Sequence, residues 1–177
     1  LRAQRMGANP FAFYRGTAGI MAADLARSPS SGILVAACGD AHVSNFGFYA
    51  SPARSLVFDL NDFDEAAWAP WEWDVKRLVT SVLIAGRATD RNQTVTDAAA
   101  KTAIKTYLEV LRQATKASAV DRYFAHFNPV ELANGLDHDS SQVLREAMAD
   151  ARKRNSKRAA RKLTQIDESG QVRFIEQ

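Results

Sequence analysis

The chain has 177 residues, 46% hydrophobic and 24% charged, which is ordinary globular material with enough apolar content for one core. A single cysteine, Cys38, excludes an internal disulfide framework. No apolar run approaches the length of a membrane span or a signal-peptide core, so a cytoplasmic setting with no membrane partner is expected.

In chain order, an aromatic-rich opening places Phe11, Phe13 and Tyr14 before Arg15. Arg15 suits either a bidentate phosphate clamp or a bridge to acids downstream, with its stem packed on aromatic faces. Thr17 is predicted to cap a helix through Ile20, Met21, Asp24 and Leu25, closed by the turn Ser28-Pro29-Ser30-Ser31-Gly32. Short strands are predicted near 33–37 and 55–59. From Trp71 to about Arg87 the apolar positions Trp71, Val75, Leu78, Val79, Val82 and Leu83 keep a helical period.

Thr94-x-x-Asp97 reads as a capping box with Asp in place of Glu. It opens a helix whose stripe of Ile104, Tyr107, Leu108 and Leu111 predicts a core face. Asn128-Pro129 reads as a cap followed by proline at the first helical position, with Gly135 as the stop. Ser140 or Ser141 opens a last helix with Val143, Leu144, Ala147, Met148 and Ala151 inward. Residues 152–162 hold Arg152, Lys153, Arg154, Lys157, Arg158, Arg161 and Lys162 without an acid, so this one segment makes the net charge of +3. It suits a polyanion-binding surface or a solvated helix end whose cations complement the helix dipole. Glu168-Ser169-Gly170 is predicted to turn a hairpin. The expected architecture is α+β: one partial domain over 1–177, with a catalytic-loop and metal-ligand core (1–90), a helical subdomain (91–165) and the start of a strand hairpin (166–177).

Chemistry concentrates in Cys38-Gly39-Asp40-Ala41-His42-Val43-Ser44-Asn45 and in Leu56-Val57-Phe58-Asp59-Leu60-Asn61-Asp62-Phe63-Asp64. A tight loop leaving an apolar strand can project Asp40 toward a substrate hydroxyl, while Asn45 offers a carbonyl oxygen to a hard cation. Asp59, Asp62 and Asp64 follow closely enough to add a charged ligand, and Mg²⁺ asks for only one or two protein carboxylates beside phosphate and water. That spacing points to a phosphotransferase-like site; the same Asp and Asn also suit turn caps at strand ends. Segment 59–74 carries Asp59, Asp62, Asp64, Glu65, Glu72 and Asp74 without a basic residue. Such acids repel unless a bound cation, or pairing with Lys76, Arg77 and Arg15, neutralises them. Cys38 reads as a small buried thiol. His42 suits orientation of the loop, metal ligation or catalysis, whereas His126 and His138 carry no functional signal.

Pro10-Phe11-Ala12-Phe13-Tyr14-Arg15-Gly16, Cys38-Gly39-Asp40-Ala41-His42, Asn45-Phe46-Gly47, Asn61-Asp62-Phe63-Asp64-Glu65 and Trp71-Glu72-Trp73-Asp74-Val75-Lys76-Arg77-Leu78 together resemble the bacterial domain of unknown function 2252 family. The core of that family looks like the aminoglycoside phosphotransferase and kinase-like superfamily. The resemblance implies Asp40 as base with His42 beside it in the loop, Asn45 as metal ligand and Asp74 as a structural acid at a helix start. It also implies Mg²⁺ and ATP as cofactors and an unknown hydroxyl or amine acceptor; the phosphate clamp read at Arg15 would then serve the nucleotide. For the second metal ligand, counting forward from Asn45 favours Asp59 and counting back from Asp74 favours Asp62. No two glycines stand two apart, so the Gly-rich phosphate loop of a kinase-type site is absent from these residues, and the chain reads as the catalytic-loop part of a longer protein. Competing readings are a nucleotide- or partner-binding module without catalysis and, behind it, a metal-dependent phosphoesterase built on Asp40-x-His42.

Overall fold

The computed structural model describes residues 4, 6–51, 55–125, 127–153, 163–167 and 170–175 of an α+β chain. These residues fall into two compact units: Leu1–Gly47 with Asp59–Ala125, and Phe48–Phe58 with His126–Gln177.

The first unit opens with helix α1, Pro10–Arg15, where Asn9 accepts from Ala12 N and proline takes the first helical position. Helix α2, Ala18–Leu25, follows at once. Thr17 stands at its N-cap without capping it; the hydroxyl turns back to donate to Phe13 O and Tyr14 O and ties the two helices together. Strand β1, Leu34–Ala37, leads to the loop 38–42 and a 3₁₀ turn, Val43–Asn45. Strands β2, Phe46–Ala50, and β3, Leu56–Leu60, pair with each other, and the chain leaves the first unit within β2 and re-enters it within β3. Strand β4, Ala67–Pro70, then lies antiparallel to β1 from Leu34↔Pro70 to Ala37↔Ala67.

Helix α3, Glu72–Ala88, packs on α4, Gln93–Ala114. Gly86 lets them approach, since a Cβ there would overlap the Thr96 side chain. Toward the start of α3, the Trp71 and Tyr107 rings stack at 5.9 Å and 6°. The cap of α4 is Asn92, which accepts from Thr94 N, and the expected Thr94–Asp97 box is not used: Asn92 already occupies the N-cap one residue before the first helical position. The expected core stripe is largely uncovered as well, because the described packing buries Thr96, Ala100 and part of Tyr107, leaving Ile104, Leu108 and Leu111 about 40% exposed. Helix α5, Ala119–Phe124, capped by Ser118, completes the unit.

In the second unit the rings of Phe48, Phe58 and Phe127 form a chain of contacts at 5.0 and 5.9 Å. Helix α6, Pro129–Gly135, starts as expected from Asn128, which accepts from Val130 N. Helix α7, His138–Lys153, begins before either predicted serine, because Asp137 accepts from Ser140 N and holds the first turn. Met148 is buried, while Val143, expected inward, is 67% exposed. Strands β5, Thr164–Ile166, and β6, Val172–Phe174, form an antiparallel ladder. The turn residues 168–169 and the basic run beyond Lys153 lie outside the described residues. No described helix is long and apolar enough to cross a membrane.

Candidate functional site

The loop after β1 is built by one face of α3. Asp74, Arg77 and Ser81 are spaced by three and four residues and therefore share that face. The Asp74 carboxylate accepts from Cys38 N at 2.7 Å and Gly39 N at 3.0 Å, so the expected structural acid is a clamp on the loop backbone. Ser81 is fully buried; its hydroxyl accepts from Val43 N at 3.0 Å and donates to Leu78 O at 2.6 Å. Gly39 is required twice over: its φ is +84°, and a Cβ there would overlap the Glu65 carbonyl oxygen.

Between these anchors Arg77, 2% exposed, meets Asp40. Its Nε and Nη2 both lie 2.6 Å from Asp40 Oδ1. Nη2 also donates to Tyr14 O at 2.8 Å, and the guanidinium carbon stands 4.2 Å from the Tyr14 ring centroid. The Tyr14 hydroxyl returns a bond to Arg77 O at 2.9 Å, and burial raises its pKa above the ordinary tyrosine value. Sequence reasoning offered Arg77 to the acids of 59–74; the structure gives it to Asp40 instead.

Asp40 Oδ2 is left facing His42 Nε2 at 3.5 Å. His42 Nδ1 accepts from Ser44 N at 3.2 Å, so in the neutral ring the proton sits on Nε2, toward the carboxylate. Burial, helped by the charges of Arg15 and Arg77 and opposed by Asp40, pulls the His42 pKa below its ordinary value. His42 is thus a buried neutral ring oriented through the Ser44 backbone amide.

Asn45 donates from Nδ2 to Asp40 O at 2.8 Å. Only the amide nitrogen can donate to a carbonyl, so this bond assigns the orientation of the amide and leaves Oδ1 as its remaining acceptor. The Asn45 carbonyl accepts from Asn61 N at 3.0 Å and draws the segment after β3 beside the loop. Cys38 Sγ contacts Asp62 O at 3.5 Å on the same segment, and burial pushes its thiol pKa up, consistent with an unreactive packing role.

A cleft of about 460 Å³ results. Asp40, His42 and Asn45 line it together with Asp62, Asp64, Glu65 and Arg15. Asp59 is not on this cleft; it is exposed on β3 and its Oδ1 accepts from the following amide, Leu60 N, at 2.8 Å. Of the two candidates left open by counting, Asp62 is therefore the one that shares a cavity with Asn45. Among the described residues no Lys or Arg is paired with Asp62, Asp64 or Glu65, and no cluster of three His, Cys, Asp or Glu side chains stands ready for a metal. The hard-oxygen donors at hand are Asn45 Oδ1 and the Asp62 and Asp64 carboxylates. These are oxygen donors of the kind a hard cation takes, and they include no thiolate or imidazole set for a caged transition metal.

No curated protein and no solved structure matches this chain. A family model matches residues 1–177; its description is "Uncharacterized protein conserved in bacteria (DUF2252)".

Proposed function

We propose that this chain, which belongs to the DUF2252 family of uncharacterized proteins conserved in bacteria, carries the catalytic loop of an ATP- and Mg²⁺-dependent phosphotransferase acting on a hydroxyl or amine acceptor. The observation that carries the reading is the bond from Asn45 Nδ2 to the carbonyl of Asp40, in a cleft that also holds Asp62. That bond couples the candidate base to the candidate metal ligand and leaves Asn45 Oδ1 for a cation. Arg77 fixes Asp40 Oδ1, so Oδ2 is the oxygen left to receive a proton from an acceptor. Asn45 and Asp62 would hold Mg²⁺, which when bound neutralises charge on the transferring phosphoryl group. Arg15, on the same cleft, is the cation available to a nucleotide phosphate.

The test uses the full-length protein, with folding of every variant checked by melting. Asp40→Asn is expected to lower phosphoryl transfer from ATP by about 10²–10⁴-fold while nucleotide affinity holds, because a base acts on the chemical step. Asp62→Asn is expected to weaken Mg²⁺-dependent ATP binding, and Asp59→Asn to leave it unchanged. Full turnover in Asp40→Asn, with nucleotide affinity untouched in both other variants, would refute the assignment. Tight Mg²⁺·ATP binding with no transfer to any acceptor would leave a nucleotide-binding module.

A further inference from the structure

A second cavity of the first unit, about 230 Å³, lies behind the catalytic loop, among α2, β1, β4 and α3. Gly19, Ala22, Ala37 and Ala69 line it with Met21 and Trp73, so the walls are apolar and short where larger side chains would have closed the space. An apolar cavity of about 150 Å³ already suffices for benzene.

The cationic group of this cavity is Arg77, nearly fully buried and part of its lining. Nε and Nη2 are occupied by Asp40 and Tyr14, but among the described residues Nη1 meets only the Met21 thioether, 3.7 Å away. A thioether is a weak acceptor, so a buried charged nitrogen here is under-satisfied, at a place where hydrogen-bond donors are costly to leave idle. Met21 and Arg77 both line the cavity, so the weakly satisfied end of the guanidinium stands at its wall. The missing partner is an oxygen. An anion is disfavoured, because Asp40 already neutralises Arg77 and the cavity lining includes the Asp74 and Glu65 carboxylates.

We propose that this cavity binds a compact apolar molecule bearing one neutral oxygen, an alcohol with a body about the size of a single ring, whose oxygen accepts from Arg77 Nη1. The site shares Glu65 with the polar cleft but does not depend on phosphoryl transfer. Its occupant touches the guanidinium that holds Asp40, which makes it a ligand site coupled to the loop by one side chain.

The test is ligand-observed NMR titration of the full-length protein with 2-phenylethanol, phenylacetate and ethylbenzene. Saturable binding of 2-phenylethanol is expected, with each of the other two at least tenfold weaker. Gly19→Leu should reduce 2-phenylethanol binding at least tenfold: Gly19 lines the cavity, a Cβ there meets nothing within 4 Å, and leucine is a better helix former than glycine, so the variant adds a bulky side chain at the cavity wall without a clash at Cβ. Ala22→Leu serves as the independent filling variant, its fold checked by circular dichroism. No saturable binding of 2-phenylethanol, unchanged binding in both folded variants, or equal binding of ethylbenzene or phenylacetate would each overturn the proposal. Since no nucleotide is present, the outcome is independent of whether the protein transfers phosphate.

Discussion

Replacing Arg77 by methionine tests the central contact of the site, because it keeps an unbranched stem out to the ε position and removes the charged guanidinium. Arg77 is 2% exposed and the Asp40 side chain 11%, so the variant strands a carboxylate in a buried setting. Removing one partner of such a pair costs about 3–5 kcal/mol. The bond to Tyr14 O and the stack on the Tyr14 ring are lost in the same step, so the expected cost lies at the upper end of that range. For a chain of this size each kcal/mol moves the melting temperature by about 2–4 °C, which puts the expected fall near 10–20 °C. Urea unfolding gives the free energy directly, and the double variant Asp40→Asn/Arg77→Met separates pairing from packing. With both charges gone, its loss should be smaller than the sum of the single losses by at least about 2 kcal/mol, within the range seen for directly contacting groups. A cost below about 1 kcal/mol for Arg77→Met, or additive losses in the double variant, would refute a buried ion pair at this position.

Asp74→Ala removes a carboxylate that holds two loop amides and should cost about 3 kcal/mol, with faster hydrogen exchange at Cys38 N and Gly39 N; exchange unchanged at both would contradict the clamp. Gly39→Ala forces a side chain into a left-handed backbone and onto the Glu65 carbonyl, so denaturation should reveal a loss of at least about 1–3 kcal/mol. For His42 the folded pKa lies below its ordinary value of 6.5, chiefly through burial, so below that pH the unfolded chain takes up a proton that the folded chain refuses. Stability should therefore be fully present above about pH 6.5 and fall as pH drops through the interval down to the folded pKa. His42→Gln should flatten that part of the melting-temperature profile; a profile as steep as the parent's would assign the acid sensitivity elsewhere.

What the sequence determined by itself is whatever depends on near neighbours. The helix Glu72–Ala88, the strands Leu34–Ala37 and Leu56–Leu60 and the Asn128-Pro129 start follow from periodicity and capping over a few residues, and all appear where expected. The bond from Asn45 to Asp40 is of the same kind, because a five-residue loop can close it without reference to the rest of the chain. Tertiary structure decided the partners of those residues. Arg77 lies 37 positions from Asp40, and only the packing of α3 beneath the loop brings them to 2.6 Å. The signal was present as three polar residues, Asp74, Arg77 and Ser81, on one face of a helix, yet their spacing gives no hint of what they meet. Counting left Asp59 and Asp62 as alternatives, and tertiary structure places them differently: Asp59 lies on β3 outside the cleft, while Asp62 lines it, the chain after β3 being drawn to the loop through Asn61 N and Asn45 O. The same distinction explains the stripe on α4. Its period makes a helix, but burial needs a second surface, and the described packing of α4 covers Thr96 and Ala100 rather than Ile104, Leu108 and Leu111.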